Sequence, residues 1–141
     1  MRILYVEDNL PNIILVERIV SMGKHELIHY PDAETALLNL DHDNPDLVLV
    51  DIRLEGQMDG LDLMRHLRAR GFSRPIVAIT ASLTDNIRGR CLEAGYDDFF
   101  SKPLSVHRFW RVIQRLQRNT DYLQGETVLA NDMPGNDAIV L

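Results

Sequence analysis

Through residue 118 the chain alternates between two kinds of hydrophobic pattern. Short runs of β-branched and other apolar residues predict five strands, at residues 2–6, 26–29, 46–50, 75–80 and 98–100. Each run is followed by a segment of about a dozen residues with helical periodicity. The third and fourth runs are continuously apolar through their centres, which is typical of strands covered on both faces. This alternation predicts βαβ units and a parallel sheet.

Residues that commonly cap helices lie at the ends of the predicted helical segments. Asn9 precedes the first helical segment, and Gly23 follows it. Further N-caps are predicted at Asp32, Thr84 and Ser105, at the starts of the second, fourth and fifth helices. Five βα units of this size favour a doubly wound α/β fold, a flavodoxin-like (βα)5 three-layer sandwich with strand order 2-1-3-4-5.

Composition narrows the class of protein. The chain has 141 residues, 45% of them apolar, a net charge of −6 and one cysteine, Cys91. It lacks a run of about 18 apolar residues and a secretory signal pattern, which argues against membrane insertion and export. The negative charge argues against direct nucleic-acid binding, and a lone cysteine cannot form an internal disulfide. We therefore expect a cytoplasmic protein.

The charged residues divide the chain into two parts. All fifteen Lys and Arg residues lie in residues 1–118, together with seventeen acidic residues. Residues 119–141 contain four acidic residues and no Lys or Arg. We predict one domain at 1–118 and an acidic C-terminal tail at 119–141 that packs against its own domain or a neighbouring chain. The tail is too short for a separate output domain, so a single-domain protein is expected.

Candidate chemistry lies at the carboxyl ends of the predicted strands, where ligands bind in doubly wound sheets. Glu7 and Asp8 follow the first strand, Asp51 and Thr80 follow or end the third and fourth, and Lys102 follows the fifth. Each residue alone is compatible with capping or solvent exposure. Together, three carboxylates need a cation to offset their repulsion, and Mg²⁺ prefers oxygen ligands of this kind. A cation, a lysine and a hydroxyl predict a site for a phosphoryl group.

Four motifs in order, LYVEDN, LVLVDIRL, AITA and FFSKP, carry a family resemblance over about residues 1–118. They resemble the receiver domain of two-component response regulators, in the chemotaxis-regulator-like superfamily. The resemblance implies that Asp51 is the phosphoacceptor for a histidine kinase or a histidine phosphotransfer protein. It also implies a Mg²⁺ site formed by Asp8, by Glu7 largely through water, by Asp51 and by the backbone carbonyl of Arg53.

The same resemblance assigns a switch. Lys102 would pair with one phosphoryl oxygen, and Thr80 would donate a hydrogen bond to another. Phe99, three residues before the lysine, would then turn inward beside Thr80, so that phosphorylation changes protein–protein contacts. The segment IRLEGQMD, between Asp51 and Gly60, departs from the family pattern. It lacks the proline that commonly follows the acceptor and is one residue longer than in many relatives.

Two helix surfaces are predicted to contact partners. Apolar residues cover about half the circumference of the first helix, more than a core face needs, and we expect Ile14 or Leu15 to contact a histidine-bearing partner. Opposite its core stripe, the last helix carries Arg108, Arg111, Arg115 and Arg118. These arginines predict a solvated face, or a contact with a downstream protein or a second copy through helix 4, strand 5 and helix 5. Trp110 is predicted to lie at the edge of that contact.

Two other functions remain open. A small Mg²⁺-dependent phosphohydrolase would also use a carboxylate nucleophile, but its usual general acid, two residues after the nucleophile, would fall at Arg53. A receiver-like scaffold would act without phosphorylation, but the complete set of acids, threonine and lysine argues against it. The leading hypothesis is a signalling switch that catalyses only its own phosphotransfer and dephosphorylation.

Overall fold

In the computed structural model, strands and helices alternate along the described residues, 1–81 and 84–124, with side chains described through residue 118. The strands are β1 (Arg2–Val6), β2 (Glu26–Tyr30), β3 (Leu47–Asp51), β4 (Ile76–Thr80) and β5 (Asp98–Ser101). The helices are α1 (Leu10–Ser21), α2 (Ala33–Asp43), α3 (Gly60–Ala69), α4 (Asp85–Ala94) and α5 (Val106–Gln124). All neighbouring strands pair in parallel in the order β2-β1-β3-β4-β5, which confirms the predicted topology.

Apolar layers cover both faces of the sheet. Every residue of β3 and β4 is buried, as expected for central strands between two layers of helices. One face packs against α2, α3 and α4, through side chains such as Leu37, Leu63 and Cys91. The other packs against α1 and α5, through side chains such as Val16 and Phe109. The predicted three-layer sandwich is therefore confirmed.

Local capping places the helices where the sequence predicted them. Asn9, Asp32 and Thr84 each accept the backbone N–H three residues further along the chain, which satisfies a donor that the first turn leaves unpaired. A capping box that the sequence analysis missed joins Asp59 to Asp62 at the start of α3. This box fixes the end of the loop that follows β3.

The fifth helix differs from the prediction. It runs to Gln124 and so crosses the predicted domain boundary at residue 118. The remainder of the predicted tail, from residue 125, lies outside the described residues. Trp110 is 3% exposed and stacks on the ring of His25, with ring centroids 5.1 Å apart. The prediction that Trp110 lies at the edge of a partner surface was wrong, because the segment between α1 and β2 packs over its ring.

Several apolar side chains of the helices remain exposed, among them Leu38 on α2 and Leu92 on α4. On α1, Leu10 is 64% and Ile14 46% exposed, while Leu15 is half-buried and packs against the core. The predicted partner-facing surface of this helix therefore retains Ile14 but only part of Leu15. Within the described part of the chain, no helix combines the length and the apolar character needed to cross a membrane.

Candidate functional site

Polar side chains meet at the carboxyl edge of the sheet, as the strand ends predicted. Asp51 and Thr80 are the last residues of β3 and β4, and Glu7 directly follows β1. All three are buried, with exposures of 0% for Glu7 and 5% for the other two. The backbone N–H of Lys102 donates to the Thr80 carbonyl at 2.9 Å, which fixes the lysine beside the end of β4.

Asp51 is a buried carboxylate with both oxygens engaged. Its Oδ1 accepts a hydrogen bond from the Arg53 backbone N–H at 2.8 Å, and its Oδ2 accepts one from Lys102 Nζ at 2.9 Å. Burial acts to raise the pKa of Asp51, but the neighbouring Glu7, Lys102 and Arg53 N–H together hold that pKa below its usual range. Asp51 is therefore ionised at neutral pH although it is buried.

Glu7 shares the site with Asp51 and behaves differently. Its Oε1 accepts a hydrogen bond from Asn12 Nδ2 and lies 3.7 Å from Lys102 Nζ. No donor group of the described residues reaches its Oε2, which is fully buried. Burial, followed by the adjoining Asp51 carboxyl, raises the pKa of Glu7 well above its usual range. Of the two carboxyl groups, Glu7 is therefore the one that is harder to ionise.

Asp8 does not join this pair. It is exposed, and its Oδ2 accepts a hydrogen bond from the backbone N–H of Glu55 at 3.2 Å. Across residues 1–81 and 84–118, no three His, Cys, Asp or Glu side chains are arranged to hold a metal ion together. The strand ends predict that three carboxylates converge at this edge, whereas the structure brings only Glu7 and Asp51 together.

The donor set nevertheless fits Mg²⁺. A buried carboxylate oxygen without a donor, as at Glu7 Oε2, is rare in folded proteins unless a water or an ion satisfies it. Carboxylate oxygens and a backbone carbonyl are the hard ligands that Mg²⁺ takes, together with several waters. Because Asp8 is exposed at the mouth of the site, it is available as a further ligand if its hydrogen bond to Glu55 opens.

Phe99, the predicted switch residue, lies half-buried between α4 and α5. The guanidinium carbons of Arg88 and Arg108 lie 5.4 and 5.7 Å from the centre of its ring, within the range of cation–π attraction. Asp98 pairs with both Arg108 and Arg115. The predicted basic face of α5 is thus partly neutralised within the chain itself.

Sequence reasoning missed two residues that touch the predicted site or its loop. Asn12 binds Glu7 through its side chain, and Glu34 accepts the backbone N–H of Met58 at 3.1 Å. Asn12 lies in the first turn of α1, and its proximity to the end of β1 was the only available signal. Nothing local marks Glu34, because its partner is 24 residues away.

The family model of the response regulator receiver domain matches residues 3–114 of this chain. The chain therefore belongs to the response regulator receiver family, and the resemblance drawn from its motifs is confirmed. Receiver domains of this family are signalling domains of two-component systems, and phosphorylation and Mg²⁺ are general features of them.

Curated relatives and solved structures agree with this assignment. The two-component response regulator PhoP of Pseudomonas aeruginosa is 38% identical over 128 residues, which cover 88% of this chain and 55% of the relative. The phosphate regulon transcriptional regulatory protein PhoB of Escherichia coli is 31% identical over 130 residues, which cover 91% and 56%. The chain thus spans about half the length of the curated relatives it matches.

Among solved structures, the receiver domain of the sensor histidine kinase PA1611 from Pseudomonas aeruginosa is 32% identical, with a TM-score of 0.74. The match covers 82% of this chain and 95% of that one, whose active-site cleft holds a coordinated magnesium ion. A two-component response regulator from Clostridium difficile, 21% identical, has a TM-score of 0.80 over 86% of this chain and 98% of its own. The second likeness concerns the fold alone.

Proposed function

We propose that Asp51 accepts a phosphoryl group, in a Mg²⁺-dependent transfer from a histidine kinase or a histidine phosphotransfer protein. The observation that carries this proposal is a buried carboxylate that stays ionised beside an ammonium group 2.9 Å away. An ionised carboxylate is a nucleophile. The ammonium group of Lys102 neutralises part of the charge that incoming phosphoryl oxygens bring.

In the transfer, a carboxylate oxygen of Asp51 forms a bond to the phosphorus of a phosphohistidine. The bond from phosphorus to the imidazole nitrogen breaks, and its electron pair stays on that nitrogen as the phosphoryl group leaves. Lys102 moves from pairing with the carboxylate to pairing with a phosphoryl oxygen, and Thr80 donates a hydrogen bond to another. The chain thus supplies positioning and charge neutralisation, which phosphoryl transfer mainly requires.

Asp8, Asp51, the backbone carbonyl of Arg53 and, through water, Glu7 would hold the Mg²⁺ ion. When bound, the ion supplies positive charge that draws the phosphoryl oxygens and the Asp51 carboxylate together. The magnesium in the cleft of the related PA1611 receiver domain supports this part of the proposal. So does Glu7 Oε2, a buried oxygen that no described donor satisfies.

Phosphorylation would act on other proteins through the surface around Phe99. Movement of Thr80 towards the phosphoryl group opens space at the end of β4, and Phe99 turns into that space. Its ring then leaves the guanidinium groups of Arg88 and Arg108, which changes the surface formed by α4, β5 and α5. A downstream protein or a second copy of the chain would bind to the changed surface.

The test is labelling by a small phosphodonor. The protein is incubated with acetyl phosphate with and without Mg²⁺, and acyl phosphate is measured by intact mass. We expect one phosphoryl group on the wild type and on the exposed-site control Asp41→Asn, dependence on Mg²⁺, and no label on Asp51→Asn. Absence of label on the wild type would support a phosphorylation-independent scaffold. Rapid turnover of phosphomonoesters would support the hydrolase.

A further inference from the structure

Three carboxylates from different parts of the chain hold the loop between β3 and α3 by hydrogen bonds. Its backbone N–H groups donate to acidic side chains of β3, the end of β1 and α2. The pairs are Arg53 to Asp51 at 2.8 Å, Glu55 to Asp8 at 3.2 Å, and Met58 to Glu34 at 3.1 Å. Charge-assisted hydrogen bonds of this kind are stronger than neutral ones, so these acids determine where the loop lies.

Two of these three carboxylates, which we call the anchors of the loop, also take part in the proposed chemistry. Asp51 and Asp8 are the proposed phosphoacceptor and metal ligand, so their carboxylates take new partners during the reaction. The Oδ2 oxygen of Asp8 in particular is engaged by the Glu55 N–H. Glu34 alone among the three carboxylates takes no part in the proposed chemistry, so it can hold the loop while the others change partners.

Glu34 is also held firmly in place. It lies in the first turn of α2, whose N-cap Asp32 accepts the Thr35 N–H at 2.7 Å. The neighbouring Ala33 is fully buried against the sheet. The loop curls around the carboxylate at Gly56, which has a φ of +121°, and a Cβ there would lie 3.8 to 3.9 Å from the Glu34 oxygens.

We propose that Glu34 is a positioning residue for the metal site, because it fixes the loop that carries the Arg53 carbonyl when Asp8 releases Glu55. The inference rests on the proposed function and adds a residue outside the receiver motifs. When a metal ion binds, Asp8 would give up its hydrogen bond to the Glu55 N–H and ligate the ion. The hydrogen bond from the Met58 N–H to Glu34 would remain.

The experiment is a Mg²⁺ titration of the full chain followed by ¹⁵N–¹H NMR, on the wild type and on two variants of Glu34. Glu34→Ala removes the acceptor of the Met58 N–H. Glu34→Gln removes the same charge but keeps an oxygen that can accept this hydrogen bond. We expect Glu34→Ala to weaken Mg²⁺ binding about tenfold, as loss of an outer partner of a metal site commonly does. Glu34→Gln keeps the hydrogen bond in its weaker neutral form and should weaken binding no more than about threefold.

Amide exchange supplies a second readout. In the wild type, Mg²⁺ is expected to reduce the protection of the Glu55 amide and to leave that of Met58 unchanged. In Glu34→Ala, the Met58 amide loses its protection with and without Mg²⁺. Thermal unfolding of both variants, expected to match the wild type closely, shows that a weaker affinity does not come from partial unfolding.

The outcomes separate this inference from the proposed function. If the wild type binds no Mg²⁺, the proposed function fails and the inference fails with it. If the wild type binds Mg²⁺ and Glu34→Ala binds equally well, the inference alone is overturned. Equal weakening in Glu34→Ala and Glu34→Gln would also overturn it, because the effect would then come from charge and not from the anchor.

Discussion

The two edges of the sheet differ in how completely the hydrogen bonds of their charged residues are satisfied. At the carboxyl edge, Glu7 and Asp51 are buried together, and Glu7 Oε2 has no donor among the described residues. At the amino edge, Arg68 donates to three backbone carbonyls, at 2.7 to 2.9 Å, and to the carboxylate of Asp97 at 2.8 Å. Arg74 likewise donates to the carbonyl of Pro45 at 2.9 Å.

This difference separates a site for chemistry from a structural network. A charge whose hydrogen bonds are completed by backbone groups stabilises the fold and has little left to offer a ligand. A buried carboxyl with an unsatisfied oxygen weakens the fold unless something binds there. Asp97 illustrates the amino edge, since its Oδ2 accepts from both Arg68 and the Ile76 N–H.

The largest expected effect is at the carboxyl edge. Asp51→Asn should abolish labelling by acetyl phosphate and change the free energy of unfolding by less than about 1 kcal/mol, since it removes a buried charge together with its pairing to Lys102. Intact mass measures the label, and urea unfolding measures the stability. A marked loss of stability would show that the acidic pair holds the fold together, which would break the contrast between the edges.

Gly60 tests how closely the loop packs beneath the acceptor. A Cβ at this position would lie 2.3 Å from the Asp51 carbonyl oxygen and 2.7 Å from the Ile52 Cα. We expect Gly60→Ala to cost about 3 kcal/mol of folding stability, because backbone atoms must move. Gly89→Ala is the matched control. Gly89 lies in α4 with nothing within 4 Å of an added Cβ, so alanine there should stabilise by about 1 kcal/mol. Urea unfolding of both variants measures these changes in stability, and an equal stability of the two variants would contradict the close packing at Gly60.

Arg68 tests the amino edge. Arg68→Ala removes several hydrogen bonds made by one charged group, and we expect a loss of about 3 kcal/mol in stability. Labelling of Asp51 in the folded protein should not change. The control is Arg65→Ala on the same helix, whose guanidinium pairs with the Asp62 carboxylate at 3.2 Å near the surface, with an expected loss below about 0.5 kcal/mol. A large labelling defect in folded Arg68→Ala would mean that the two edges are coupled.

The smallest effect is expected at Asp32, and it depends on pH. Hydrogen bonds from the Thr35 hydroxyl and backbone N–H lower the pKa of Asp32. A carboxyl with a depressed pKa contributes its full stability above the unfolded value of about 4 and loses it as the pH falls through the folded value. Asp32→Ala should therefore cost about 1 kcal/mol at neutral pH and less at about pH 3. A cost independent of pH would assign the effect to helix propensity.

Much of the fold could be predicted from the sequence because its signals are local. Strand runs and capping residues such as Asn9 and Thr84 act within a few residues, and the strand ends placed Asp51 and Thr80 at one edge. Other features depended on long-range packing. Trp110 was misplaced because its ring is covered by the segment at Gly23 and His25, which helical periodicity on α5 cannot reveal.

The sequence by itself determined the parallel sheet, its strand order and the edge where the acidic pair, the threonine and the lysine meet. These follow from periodicity and from where each strand stops, which are properties of short segments. Only the tertiary structure decided which side chain reaches which partner at that edge. Asp8 turns to Glu55 and Glu34 to Met58, across 47 and 24 residues of chain. Such contacts depend on the path of a loop and on side-chain rotamers, which no local pattern specifies.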